Sequence, residues 1–266
     1  MTKRLPQNFS LYKYGLNVRF VKESDAKFIL DLRKDPIKSK YLSYTSENIE
    51  DQINWIRDYK KREEDGSDYY FFYEYQGQSA GVNRLYHIES NHFVHGSWLF
   101  SDNVPPFCSL AAAVIAREIA YNIIGLDIEI DTDGIHQDNK GVLQFAKYMG
   151  HEFNGTRITE QGEVFLTSVL KKEVFYQNLP KILKLFPKNI CKMEQKVLEI
   201  INNIRAAKEM APVAELHADD KLRDDLGLTS FDLAELTVNI EDEFDIDIFE
   251  DGLVNTVGEI YAKLRK

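Results

Sequence analysis

The chain has 266 residues, 44% of them hydrophobic and 29% charged, which is the balance of a soluble globular protein long enough for one large or two modest domains. Its net charge of −10 lies wholly in residues 193–266, where 8 basic residues face 18 acidic ones, while the rest of the chain is balanced at 25 against 25. This excludes a nucleic-acid partner for the acidic part and favours a basic protein surface. Cys108 and Cys191, the only cysteines, make neither a metal-ligand spacing nor a disulfide framework. With no apolar leader and no run near the roughly 18 residues of a membrane span, the expectation is a cytoplasmic protein without metal or membrane partner.

In chain order, Leu16 to Val21 alternates like a strand, and Glu23-Ser24-Asp25 leads into a short helical face, Phe28, Ile29 and Leu32, closed near Pro36. A second helix is expected over about 46–62, with Ile49, Ile53 and Ile56 on one side. Tyr69–Tyr75 and Ser79–Ile88 form a hairpin about Gln76-Gly77-Gln78, and a strand follows over Phe93–Phe100. After the Asn103-Val104-Pro105-Pro106 break comes an apolar helix, Ser109–Ile124, stopped by Gly125. Leu126–Ile130 is a strand, Asn139–Met149 a helix ended by Gly150, and Val164–Leu170 a strand. Periodicity alone gives a mixed α/β or α+β domain.

The lysines at 171, 172, 181, 184, 188 and 192 form a solvated face or a docking patch for an acidic partner. Residues 187–192 span at most about 20 Å when extended, so the parts on either side stay neighbours.

In the acidic quarter, Asp224-Asp225-Leu226-Gly227-Leu228-Thr229-Ser230-Phe231 runs into an apolar stripe at Leu233, Leu236 and Ile240. Gly227 supplies a kink, Thr229 or Ser230 an N-cap, and the serine falls exposed at a helix start. This stretch, with Glu241–Ile248 and Asn255-Thr256-Val257-Gly258-Glu259-Ile260 in register behind it, resembles the acyl carrier protein family. The resemblance covers 193–266 and implies 4'-phosphopantetheine on Ser230. It departs at Thr229, where the family usually has Asp.

Gly96-Ser97-Trp98-Leu99, Asn139 with Gly150, and the opening Val18-Arg19, Asp25-Ala26 and Leu32-Arg33-Lys34-Asp35-Pro36 resemble the GNAT acyltransferases over about 16–172. The branch is the one that acetylates ribosomal-protein N-termini and nucleotide-linked amino sugars. Together the resemblances imply a GNAT-like domain at 1–172, with a mixed, mostly antiparallel sheet and flanking helices. A linker or terminal helix follows at 173–192, then a small all-α four-helix carrier at 193–266.

GNAT chemistry needs no nucleophilic side chain, because an amine attacks a thioester directly and the fold orients the reactants. The resemblance makes Trp98, Leu99 and Phe100 the strand that pairs with pantetheine amides, and puts Asn139 at the helix lining the thioester end. The usual general-acid tyrosine falls on Ala146, with Tyr148 two residues on as a weaker candidate. For a base, His95 comes first, then His87 and His136, although a lone histidine is more often structural, as Trp98 is more often core and Asn139 equally an N-cap.

At the phosphate loop the glycines are replaced by Val104-Pro105-Pro106-Phe107-Cys108-Ser109-Leu110, leaving the Cys108, Ser109 and Leu110 amides for an anion. A carrier-bound donor, which lacks adenosine diphosphate, tolerates such a loop. The function so implied is transfer of an acyl group from the chain's own carrier to an amine, best a nucleotide-linked amino sugar, with a protein N-terminus or small amine behind it. A phosphopantetheinyl transferase and an acyl-activating enzyme are the implied partners. Ordinary acyl-CoA as donor, an inactive GNAT-like docking module, and Cys108 as a nucleophile at a helix start are the alternatives.

Overall fold

The computed structural model describes residues 3–42, 44–250 and 252–264, with only the backbone at 189 and 191. The side chain of Cys191 therefore lies outside the described residues. The chain opens with a hairpin, β1 (Ser10–Lys13) and β2 (Leu16–Phe20), turned by Tyr14 and Gly15 at positive φ. Two compact units follow from the contacts: Met1–Phe9 with Arg19–Phe186, and Ser10–Val18 with Pro187–Lys266.

In the first unit the elements are α1 (Ala26–Lys34), α2 (Ile49–Asp65), β3 (Tyr69–Tyr75), β4 (Gln78–Glu89) and β5 (His92–Phe100). Then come α3 (Phe107–Glu118), β6 (Ile128–His136), α4 (Lys140–Met149), β7 (Glu152–Ile158), β8 (Val164–Lys171) and α5 (Lys172–Leu183). Strands β3 to β8 lie in the order β3-β4-β5-β6-β8-β7. Every neighbouring pair among them is antiparallel except β5 and β6, which are parallel. Helices α1 and α2 bury Ile29, Leu32, Ile56 and Tyr59 with Tyr70, Phe72, Val82 and Leu99 of the sheet.

Helix α3 continues through a π-helical turn, Ile119–Ile124, to Gly125 at φ +86. Against the expectation that no run approaches a membrane span, Phe107–Ile124 is, among the described residues, one helix long and apolar enough to cross a membrane, and 78% of it is buried within the protein. Its Ala111, Ala112, Ala113 and Ala116 are fully buried. These small side chains bring the helix close enough for Asn83 Nδ2 to donate to the Ala112 carbonyl at 3.0 Å. Two elements were not read in the sequence: strand β1 is short and β7 carries no apolar alternation. Over the stretch expected as a linker or terminal helix stands α5, seated by the buried Phe175 and Ile182.

The second unit contains α6 (Lys188–Ala206), α7 (Ser230–Phe244) and α8 (Val257–Lys263). Between α7 and α8 the chain makes turns at 248–250, so three α-helices stand among the described residues where four were expected. Val197, Ile201, Leu233, Leu236, Ile240, Val257 and Ile260 form one apolar core with Leu222, Leu226 and Leu228 of the long loop. Arg205 pins that loop by donating to the Ala211 and Leu226 carbonyls. The hairpin completes the unit. Tyr12 joins the core and packs on Tyr261 at 4.6 Å, and the Tyr14 and Gly15 amides donate to the Glu194 carboxylate at 3.0 and 2.9 Å.

Candidate active site and carrier serine

Strands β5 and β6 pair only at His92↔Ile128 and Phe93↔Glu129. Beyond these positions no β5–β6 pairs occur among the described residues, and the strands part. On its other edge β5 stays on β4, with Gly96 opposite Arg84 and Leu99 opposite Val82, so Ser97 and Trp98 together face Asn83. That two-against-one arrangement is a β-bulge. Ser97 sits in the left-handed region at φ +49, an uncommon conformation for a residue with a side chain.

A cavity of about 600 Å³ occupies the parting, lined among others by His95 and Trp98 of β5, Arg117 of α3, Glu129 and Asp131 of β6, and His151. Glu129 is buried, and its Oε1 accepts from Arg117 Nη2 at 2.7 Å and lies 3.6 Å from His151 Nε2. His151 Nδ1 stands 3.0 Å from Ser168 Oγ. Removal from water disfavours each charged form. Burial raises Glu129, opposed by the Arg117 guanidinium. Burial, then Arg117, then His151 push His95 well below the ordinary histidine value. Burial and Arg117 push His151 down to about 3. Both rings are therefore neutral near pH 7.

Asp131 lies two residues beyond Glu129, on the same face of the strand, and its Oδ1 accepts from the Gly134 amide at 2.8 Å. Burial, aided by Glu129 and Asp133, lifts it to about 6. Of these groups it is Asp131 whose titration falls near neutrality. Four buried atoms here, His95 Nε2, Arg117 Nε, Glu129 Oε2 and His151 Nε2, have no hydrogen-bond partner among the described residues. Such a concentration of unmet polar atoms marks a wet or substrate-holding site.

The expected site residues divide. His95, His136, Asn139 and Ala146 line the cavity, and His136 also stacks on Tyr41 at 4.9 Å. Asn139 caps α4, its Oδ1 accepting from the Val142 amide at 3.4 Å. His87 is exposed at the end of β4 and does not line the cavity. Nor does Tyr148, whose hydroxyl donates to the Lys181 carbonyl at 3.2 Å. Two positions past Ala146 is the far side of a helix.

Trp98 is half-buried. Its indole donates to the Ser109 carbonyl at 3.0 Å, while its ring lines the cleft and a neighbouring cavity of about 420 Å³ with Phe100, Pro105, Pro106 and Ser109. Leu99 is buried in the core. At the phosphate loop the Cys108 amide, expected to face an anion, instead donates to the Pro105 carbonyl at 3.0 Å. Ser109 and Leu110 are half-buried in the first turn of α3. The Cys108 thiol is fully buried and pushed up to about 12, which removes it as a nucleophile. Arg117, Glu129, Asp131 and His151 were missed in the sequence. The visible signal was Glu129 and Asp131 alternating with Ile128 and Ile130, a polar face on a strand with apolar neighbours.

In the carrier unit Thr229 is the N-cap of α7. It exchanges a capping box with Asp232, whose Oδ2 accepts from the Thr229 amide at 2.6 Å while Thr229 Oγ1 accepts from the Asp232 amide at 3.4 Å. Lys208 Nζ donates to the same Asp232 Oδ2 at 2.6 Å. Ser230 thus has no capping duty. It is exposed, its Oγ accepts from Arg223 Nη2 at 3.1 Å, and Phe231 beside it is 78% exposed. An accessible hydroxyl on a rigid helix start, with a guanidinium at hand for a phosphodiester, fits a phosphopantetheine arm.

The comparisons give this parted sheet over a polar cleft the acyltransferase fold of the GNAT class, in a chain that also carries a helical carrier domain. The phosphopantetheine attachment site family matches residues 199–264. The structure is similar to FdhC, described as a nucleotide-linked sugar GNAT, at 26% identity and a TM-score of 0.56, covering 68% of this chain and 99% of that one. It also resembles Mycobacterium smegmatis RimJ in complex with CoA-disulfide, at 13% identity and TM-score 0.55 over 66% of this chain and 92% of that one. The ribosomal-protein-S5-alanine acetyltransferase of Vibrio fischeri matches at 13% and 0.54 over 62% and 98%. The last two likenesses are of fold.

Proposed function

We propose that the chain is an N-acyltransferase that moves an acyl group from a phosphopantetheine thioester on its own Ser230 to the amine of a nucleotide-linked amino sugar. The observation that carries the acyl-transfer reading is the parting of β5 from β6 at the Ser97 bulge, beside a carboxylate that titrates near 6. The likeness to the nucleotide-sugar enzyme supports the acceptor.

When bound, the arm supplies the activated carbonyl that the amine attacks. Backbone groups of Trp98 to Phe100, freed by the strands' divergence, orient its amides. Asp131, in its ionised form, takes the proton that the amine sheds as the C–N bond forms, and returns it to the sulfur released as the C–S bond breaks, a base matched to neutral pH. His95, neutral, serves as a hydrogen-bonding wall group in place of the base expected of it. Two prolines and the engaged Cys108 amide leave the loop before α3 short of donors for a coenzyme A pyrophosphate, which favours the in-chain donor. The proposed setting is the cytoplasm, with a phosphopantetheinyl transferase and an acyl-activating enzyme as partners.

Radiolabelled acyl transfer by the full chain and by Ser230→Ala tests this reading. Loss of transfer in the variant, with the arm's added mass absent, is the expected result. Equal transfer from acyl-CoA by both proteins overturns the in-chain donor, and no transfer by either to any amine leaves a docking module instead of an enzyme.

A further inference from the structure

A second cavity, of about 310 Å³, shares Arg33 and Ser97 with the reaction cleft and is walled by Thr45, Trp55, Tyr70 and Arg84. Its cations are held in place. Arg84 lies over the Trp55 ring at 5.1 Å and the Tyr86 ring at 4.8 Å. Its Nε donates to Asp68 Oδ1 at 2.6 Å and its Nη2 to Asp68 Oδ2. Arg62 Nε donates to that same carboxylate at 2.8 Å. One buried acid is thus shared by two guanidinium groups, so this wall keeps a positive charge, and Arg84 Nη1 makes no hydrogen bond among the described residues. Arg33, across the cavity, donates from Nε to Thr45 Oγ1 at 2.6 Å. Asp51, the one acid lining the cavity among the described residues, accepts from Ser46 Oγ at 2.5 Å.

None of these groups is needed for acyl transfer itself. A fixed pair of guanidinium groups with hydroxyls between them suits bidentate recognition of phosphate oxygens. The position suits it too, because the cavity meets the cleft at Ser97, where the acceptor amine must arrive. We infer that this cavity is an acceptor subsite that binds the diphosphate of a nucleoside diphosphate-linked substrate through Arg33 and Arg84, with Asp68 and Trp55 as positioning residues. The inference takes its purpose from the acyltransferase reading, while its test does not depend on turnover.

Calorimetric titration of the full chain with a panel of nucleoside diphosphates, their parent nucleosides and inorganic pyrophosphate provides that test. Saturable binding of the diphosphates and absence of binding by the nucleosides is the expected result. Affinity falls at least tenfold in Arg84→Gln and in Arg33→Gln, and drops with added salt. Arg33→Gln leaves the Asp68 cluster intact and so keeps the test readable should the Arg84 variant unfold. No saturable diphosphate binding, or binding indifferent to Arg33, overturns the subsite. Diphosphate binding without acyl transfer upholds the subsite and removes the enzyme reading. Acyl transfer to other amines without diphosphate binding does the reverse.

Discussion

The two units hold their functional groups in opposite ways. In the carrier the buried charges, Arg205 and Asp232, are engaged in holding the loop and the helix cap, and the candidate residue is one exposed hydroxyl whose local fold is secured by its neighbours Thr229 and Asp232. In the GNAT unit Arg117, Glu129 and His151 are all withdrawn from water, where each ion destabilises the fold unless paired. A carrier needs only to be reached, whereas a transfer site needs groups whose protonation is set by their surroundings.

This contrast can be broken at its strongest point first. Arg117→Met strips the partner from Glu129 and leaves an acid buried alone, so the GNAT unit is expected to lose about 3–5 kcal/mol in denaturant unfolding while the carrier's transition stays put. A variant that unfolds like the wild type would mean the pair is solvated. Next, Asp131→Asn is expected to lower kcat by roughly 10²-fold, and the wild type's fall in rate below about pH 6 should vanish with it. A wild-type profile flat from pH 5 to 8 would acquit Asp131 as the base.

His151 gives a subtler, signed effect. Its folded value of about 3 lies below the unfolded one, so on acidification the unfolded chain takes up a proton that the folded chain refuses. The wild type should therefore lose stability relative to His151→Gln by roughly 1.4 kcal/mol for each pH unit between about 6 and 3. Parallel stability curves would show the ring to be charged or open to water. Smallest is Thr229→Ala, expected to remove about 1 kcal/mol from the carrier unit alone through loss of the cap. Calorimetry resolving the two transitions would reveal an error if the GNAT unit shifted instead.

The same contrast governs what could be read in advance. Ser230 was legible because its surroundings are local: a kink at Gly227, a cap at Thr229 and a stripe at Leu233 and Leu236 are adjacent in sequence. The strand-helix order of the GNAT unit was legible for the same reason, down to the caps at Asn139 and Gly150. The candidate cleft was legible only in part, since Arg117, Glu129 and His151 come from α3, β6 and the turn between α4 and β7, and meet only after folding. His95 lines the cavity, but its protonation depends on burial that periodicity does not reveal. The choice between linker and helix at 173–192 shows another limit, because Phe175 and Ile182 gain meaning only once Tyr121 and the sheet are there to receive them. The second cavity was invisible for a like reason, as Arg33 and Arg84 are far apart in the chain.

The hairpin at residues 10–18 bears on how this protein can be taken apart. Severing the chain near Pro187 would release a fragment that lacks Tyr12 and leaves Glu194 without the two amides it binds. The carrier is thus not a module added behind a finished enzyme. Its core is built from two stretches of chain that flank most of the other unit in sequence, so neither stretch alone can close it.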